Sequence, residues 1–316
     1  MAKSRKLEAV QAEIKAVRDR LDPPTEDAIA VLHQALTSKQ PVAIAQVARL
    51  ALNHRLSQLL PELATQFERL MAKGTTTDPN CIAKSAIANT LYQLEYPEAE
   101  LFLAGIRYAQ MEPVWGGETD TAPGLRAVCA LGLVRVHYRE VMTELADLLA
   151  DAEIEARIGA ARAIAYSENP QGVPLLRLKL HLGDSEPQVL SECFIALLQL
   201  APQPSFPLVA QFLDSSEPAV CELAALALGE ARIAEAFEPI KQIWRRTRER
   251  ELRQSFLLAI ATLRTDEAIE FLVRLVEKGN LADAEDAIAA LQIYRHTEEI
   301  WQTVQTAAQL RPELKL

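Results

Sequence analysis

The sequence predicts an all-α fold, a right-handed solenoid of about eight or nine stacked helix pairs. The first observation is that alanines recur at a nearly fixed interval through most of the 316 residues. The second is that glycine is scarce, with 11 residues, while aromatic residues make up only 5% of the chain. An interval of 31–33 residues is typical of arrays in which each helical unit contacts mainly its neighbours. We therefore expect paired helices to lie about 8–10 Å apart.

The recurring alanines are expected to face a neighbouring helix. They are separated by 33, 33, 31, 32 and 31 residues, and an apolar residue stands three positions before and one position after each. These offsets put the residues on one helix face, where a small side chain lets two helices approach closely. This anchor column contains Ala130, Ala163, Ala196, Ala227, Ala259 and Ala290, and Ala88 is its earlier counterpart.

Residues 1–111 are predicted to form a capping helix followed by irregular helical repeats. Apolar residues at helical spacing predict a helix over residues 4–21, which Asp22-Pro23-Pro24 should end because proline cannot continue a helix. Further helices are predicted from Pro41 and around residues 57–72.

An insertion at residues 112–121 separates these repeats from the regular repeats of residues 122–316. The interval from Ala88 to Ala130 is 42 residues, about ten more than the later intervals. Each regular repeat is expected to contain a first helix with the anchor, a short polar turn and a second helix. The chain is therefore expected to be one continuous solenoid domain.

Trp115, Gly116 and Gly117 lie in the insertion and are candidate partner-binding residues. Loops on a rigid scaffold commonly carry recognition, and tryptophan is a favoured anchor at interfaces. Asp120 and Arg126 would flank the loop with charge. The alternative interpretation is that the Trp115 ring folds back over the joint between the irregular and the regular repeats.

The basic cluster of the chain, residues 243–253, contains five arginines and two glutamates. It is interpreted either as a solvated turn with internal ion pairs or as a contact for an acidic partner. The candidate partner-binding residues in this cluster are Arg245, Arg246 and Arg248. Trp244 falls in a column that otherwise holds leucine or valine, so we expect it in the core.

The net charge of −10 and the isoelectric point near 5.2 oppose binding to nucleic acid or to anionic lipid. The start of the chain is charged throughout, and no apolar run approaches the roughly 18 residues of a membrane span, so we expect a cytoplasmic protein.

The four dispersed cysteines are expected to be reduced core residues. The five histidines are isolated in the sequence, so neither a metal site nor a cofactor is expected.

Two short motifs mark the regular repeats. An aspartate-containing turn leads into a helix with the pattern Arg-x-x-Ala-Ala-x-Ala-Leu-Gly, and the second helix opens with Val-Pro-x-Leu. The residues that carry these motifs are Asp151, Arg157, Ala160, Ala161, Ala163, Ala224, Ala225, Ala227, Leu228, Gly229 and Val173-Pro174-Leu175-Leu176. They resemble HEAT repeats of the short, lyase-type subclass. The resemblance covers residues 122–310 well and residues 25–111 loosely.

HEAT-like solenoids serve as scaffolds, adaptors, bilin lyases and a few DNA glycosylases, so the resemblance implies the fold more than the activity. We expect a non-catalytic scaffold or adaptor that binds another protein. The alternatives are a bilin lyase-like or chaperone-like subunit and, with less support, a DNA glycosylase. A glycosylase would need an aromatic cleft, a carboxylate and a basic concave surface. No catalytic, cofactor-binding or metal-binding residue is assigned.

Overall fold

The computed structural model of the protein describes residues 2–18, 21 and 24–314. The described residues form 18 helices, which make the chain 76% helical, and one sheet of two strands. This confirms the all-α class. Among the helices of the described residues, none combines the length and the apolar character that a membrane span requires.

Contacts between residues divide the chain into two compact units, Met1–Ser167 and Glu168–Leu316. The insertion at residues 112–121 lies inside the first unit. The predicted segment limits at 111 and 122 do not coincide with this division, and they stay a prediction, as does the right-handed sense of the solenoid.

The first unit stacks helices in two rows. From α3 onward the odd-numbered helices contact one another in sequence, and each even-numbered helix from α4 packs against the helix that follows it. The helices and strands of this unit are α1 (Ala2–Val17), α2 (Glu26–Leu36), α3 (Pro41–Asn53), α4 (Leu60–Lys73), α5 (Ile82–Gln93), α6 (Ala99–Ile106), β1 (Met111–Val114), β2 (Gly117–Asp120), α7 (Pro123–Arg135), α8 (Val141–Leu149) and α9 (Ile154–Tyr166).

The second unit repeats the same arrangement, with odd-numbered helices in contact and even-numbered helices packed against them. Its helices are α10 (Gly172–Leu182), α11 (Pro187–Leu200), α12 (Pro202–Gln211), α13 (Pro218–Glu230), α14 (Phe237–Arg246), α15 (Arg250–Thr262), α16 (Asp266–Lys278), α17 (Leu281–Leu291) and α18 (Glu298–Gln309). Several helices of both units begin at a proline, whose fixed φ suits the first turn and whose missing N–H is not needed there.

Small residues bring the odd-numbered helices close together. A Cβ atom added at Gly159 of α9 would lie 2.3 Å from the Cβ of Ala127 on α7. The predicted anchors Ala163, Ala227 and Ala259 are all buried. The prediction that small side chains in these helices face a neighbouring helix is therefore confirmed.

The ends of these helices define the register of the repeat. In α13 the anchor Ala227 is followed five positions later by Arg232, whose φ is +53°. In α15 Ala259 is followed at the same distance by Arg264, whose φ is +57°. A single residue in the left-handed region is a common way to end a helix.

The same spacing corrects the anchors of two earlier helices. His137, with a φ of +53°, follows Gly132 by five positions, so Gly132 and not Ala130 is the anchor of α7. In α5, Glu95 has a φ of +60° and follows Thr90 by five positions, so Thr90 and not Ala88 is the anchor. Ala88, like Ala130, lies two positions too early. Both alanines are nevertheless buried, because they occupy a second buried column.

Two further predictions differ from the structure. Helix α1 ends at Val17, before the predicted end at residue 21, and the predicted stop at Asp22 and Pro23 lies outside the described residues. We also expect no sheet beyond an isolated bridge, whereas the insertion forms the antiparallel hairpin β1–β2. A glycine with a positive φ at the hairpin tip permits this reversal, as shown below.

The buried cysteines and Trp244 lie where the sequence predicts them. All four cysteines are free and buried, and burial raises the pKa of Cys193 to about 12 and that of Cys81 to about 11. Trp244 is 6% exposed. Its ring packs edge-on against Phe271, with the ring centres 5.5 Å apart.

Candidate functional site: the hairpin and its base

The hairpin reverses through a two-residue tip formed by Trp115 and Gly116. The last pair of its ladder is Val114 with Gly117. Gly116 has a φ of +93°, a conformation that favours glycine and that matches the second central residue of a type II turn. A Cβ at Gly117 would meet no atom within 4 Å. The turn therefore requires glycine at 116, whereas packing does not require it at 117.

Trp115 projects from this tip into solvent. Its exposure is 103% of the reference value for the residue, and Met111 and Val114 on the same hairpin are each 50% exposed. The interpretation in which the ring folds back over the joint between repeats is therefore wrong. The hairpin presents three large apolar side chains, and Trp115 is the furthest along it.

Asp120 holds the end of the second strand. Its Oδ1 accepts hydrogen bonds from the backbone N–H groups of Gln110 and Ala122, both at 2.9 Å, and its Oδ2 accepts one from Nη1 of Arg126 at 2.6 Å. Burial alone would raise the pKa of Asp120, but these hydrogen bonds outweigh burial and hold the pKa below its ordinary value. Asp120 therefore stays ionised inside the base of the hairpin.

Arg126 lies in the first turn of α7 and is 5% exposed. Besides Asp120, its Nη1 donates to the carbonyl oxygen of Tyr108 at 2.9 Å, and its Nη2 donates to Oδ1 of Asp151 at 2.9 Å. Burial would lower the pKa of Arg126, but the two carboxylates raise it above its ordinary value. The sequence predicts that Asp120 and Arg126 flank the loop with charge, whereas the structure places both inside its base.

A second buried ion pair lies next to the segment that precedes β1. Asp78 and Lys84 are both fully buried, with Lys84 Nζ 3.6 Å from Asp78 Oδ2. The Asp78 carboxylate also accepts the backbone N–H groups of Ala83 and Lys84 at 2.9 Å, which satisfies two donors at the start of α5. Lys84 Nζ donates to Oε1 of Gln110 at 2.6 Å. The pair therefore connects α5 to the segment that enters the hairpin.

Glu112, in β1, joins the two segments that flank the hairpin to the turn before α5. Its Oε1 accepts hydrogen bonds from the Asn80 backbone N–H at 2.6 Å, from Gln110 Nε2 at 2.6 Å and from the Thr121 hydroxyl at 2.8 Å. Burial would raise the pKa of Glu112, but these hydrogen bonds lower it below its ordinary value. We refer to Asp78, Lys84, Gln110, Glu112, Asp120, Arg126 and Asp151 as the hairpin base.

An open groove of about 610 Å³ runs beside the hairpin. Five carboxylates and two guanidinium groups line it, together with the apolar residues Ile106, Ala109, Met111, Leu148 and Ala152. Arg107 donates from Nε to Glu144 at 2.8 Å, and Arg126 is occupied by Asp120 and Asp151. The groove is therefore acidic, with Asp147 and Glu153 in excess.

The arginine cluster lies in the second unit, at the end of α14 and in the turn that follows. Arg246 pairs with Asp214, whereas Arg245 and Arg248 are exposed and form no ion pair with any described residue. Arg253 places its guanidinium 4.3 Å from the centre of the Trp244 ring. The cluster thus combines ion pairs to other helices with two free charges.

Sequence reasoning missed most of the hairpin base. The missed residues are Asp78, Lys84, Gln110 and Glu112. A signal was present, because an aspartate precedes a lysine or arginine by six positions in the pairs Asp78 and Lys84, Asp120 and Arg126, and Asp151 and Arg157. In the described residues, no group of three His, Cys, Asp or Glu side chains is placed to hold a metal ion.

Comparison with models of protein families gave no match. A search of curated proteins gave no match either. Among solved structures, the chain is similar to the complex of CpcE and CpcF of phycocyanin lyase from Nostoc sp. PCC7120, with 16% sequence identity and a TM-score of 0.42. That similarity covers 76% of this chain and 94% of the other chain, and it is too low to assign an activity.

Proposed function

We propose that this protein is a non-catalytic cytoplasmic adaptor that binds another protein through the tip of the hairpin. The observation that carries the proposal is a fully exposed Trp115 on a hairpin whose base is fixed by buried charges. Tryptophan is among the residues that most often dominate binding energy at an interface. Trp115 makes no buried contact with the rest of the fold, so its large apolar ring is free to bind a partner.

The hairpin base supports this proposal because it makes the tip rigid. A hairpin of two four-residue strands is at best marginally stable alone in water. Buried ion pairs carry a large desolvation cost and persist only with good geometry and further hydrogen bonds, which Arg126 and Lys84 both have. A preorganised anchor loses less conformational entropy when it binds.

The acidic groove favours the adaptor over the two enzymatic alternatives. A bilin carries propionate carboxylates and DNA carries phosphates, and either group would meet the excess charge of Asp147 and Glu153. A negative potential of this kind opposes the approach of anions. The groove instead suits neutral or basic side chains of a protein.

The replacement Trp115→Ala tests the proposal. A partner is first captured from native cells with the wild-type chain, and its affinity is then measured with purified components. We expect the Kd of Trp115→Ala to rise by roughly 30-fold, the effect of losing about 2 kcal/mol at an interface anchor. The melting temperature should change by less than about 2 °C, because Trp115 has no buried contact.

Leu182→Ala is the matched control, since Leu182 is 76% exposed and lies in the second unit. Its affinity should equal that of the wild type. Unchanged affinity of Trp115→Ala, or equal losses in both variants, would contradict the proposal.

A further inference from the structure

A small basic pocket lies in the first unit, between the α2–α3 turn and the end of α4. Its volume is about 120 Å³, and it is lined by Lys39, Ile44, Arg69, Leu70, Lys73 and Thr77. Three of these six residues are cations and none is a carboxylate. This is unusual in a chain whose net charge is −10.

The three cations converge from two elements. Arg69 and Lys73 are one turn apart on α4 and therefore share a face of that helix, and Lys39 approaches from the α2–α3 turn. Among the described residues, none of the three has a carboxylate within ion-pairing distance. Like charges at this spacing repel one another unless an anion lies between them.

A hydrogen bond orients the Arg69 side chain. Its Nη2 donates to the carbonyl oxygen of Ser38 at 3.3 Å, which ties α4 to the α2–α3 turn. The pocket floor is apolar, because Ile44 and Leu70 are 1% and 2% exposed. Charges beside such a floor are screened less than charges in open water.

We propose that this pocket binds the phosphate group of a small soluble phosphomonoester. A phosphomonoester carries about −1.5 to −2 charges at neutral pH, which balances three cations better than the single charge of a carboxylate. Its oxygens accept hydrogen bonds from an arginine fork and from lysine ammonium groups. The volume of about 120 Å³ corresponds to about four water molecules at the density of the liquid, so the pocket takes the phosphate group and leaves the rest of the molecule in the open mouth.

The test is calorimetric titration of the whole chain with glycerol 3-phosphate, inorganic phosphate and glycerol at low ionic strength. We expect saturable binding at one site for the two phosphates, weakening with added salt, and no binding of glycerol. Lys39→Gln and Lys73→Gln should each weaken binding by about tenfold, the effect of losing one charge-assisted hydrogen bond. Both side chains are exposed, so the variants should fold as the wild type does.

Lys278→Gln is the matched control, because it removes the same charge from an exposed position in the second unit. Its affinity for glycerol 3-phosphate should equal that of the wild type. Absence of saturable binding, or equal losses in the control and the pocket variants, would overturn the proposal. Binding of a phosphoserine peptide or of anionic vesicles that glycerol 3-phosphate does not displace would overturn it as well. None of these outcomes depends on Trp115.

Discussion

At the scale of single residues, Arg126 connects three separate segments of the chain at the base of the hairpin. It joins Asp120 at the end of β2, the Tyr108 carbonyl before β1, and Asp151 in the turn before α9. Its side chain is 5% exposed and that of Asp120 is 8% exposed. Removing the guanidinium would leave carboxylates buried without a counter-charge.

Arg126→Met should therefore destabilise the protein by about 3–5 kcal/mol, the usual cost of breaking a buried ion pair from one side. The free energy of unfolding is measured from urea titrations of both proteins. Arg248→Met serves as the control, since Arg248 is exposed and its loss should change stability by less than about 0.5 kcal/mol. Equal stabilities for Arg126→Met and the wild type would show that the buried network contributes nothing net.

At the scale of the helices, the sequence predicts which elements pack but not always their register. Ala225 and Ala227 in α13 are both buried, two positions apart, so two small-residue columns run through the repeat. An alignment of alanines cannot separate these columns, so it places Ala130 in the anchor column in place of Gly132. The backbone at the helix end, with its positive φ at His137, separates them.

The hairpin base was not predictable in the same way. Asp78, Gln110 and Asp120 come into contact because the chain reverses in the insertion. No periodicity in the sequence of the insertion predicts this reversal. The spacing of the repeats predicts that residues 112–121 are extra to the repeat. It does not predict that they pair as strands, because four-residue strands with mixed side chains carry almost no alternating pattern.

Close approach of α7 and α9 gives a prediction at this scale. Gly159→Val should destabilise the protein by about 1–3 kcal/mol, because its Cβ would overlap the Ala127 side chain and backbone at 2.3 and 2.7 Å. Thermal unfolding followed by circular dichroism measures the effect. Gly117→Val is the control, since no atom lies within 4 Å of its added Cβ, and it should melt as the wild type does. A normal melting temperature for Gly159→Val would mean that the two helices are not in close contact.

At the scale of the whole molecule, the net charge of −10 decides which polymers the chain can approach. Long-range repulsion acts on a polyanion along its whole length, whereas the small basic pocket can neutralise one phosphate only. We therefore expect no measurable binding of duplex DNA at physiological salt in a fluorescence anisotropy titration. Sub-micromolar binding that weakens steeply with added salt would contradict this expectation and would favour the DNA-repair alternative.

The hairpin base also makes Trp115 sensitive to the geometry of the helices beneath it. Lys84 belongs to α5, Arg126 to α7, and Asp151 to the turn before α9, so three successive repeats hold one rigid arm. Four residues of strand extend about 13 Å, and a rotation of a few degrees at the base moves the tip by about 1 Å. Small rotations of the hairpin base therefore produce larger displacements at Trp115. If a partner binds Trp115 as proposed, binding should also resist bending of the stack at these three repeats, and bending of this unit should weaken the binding.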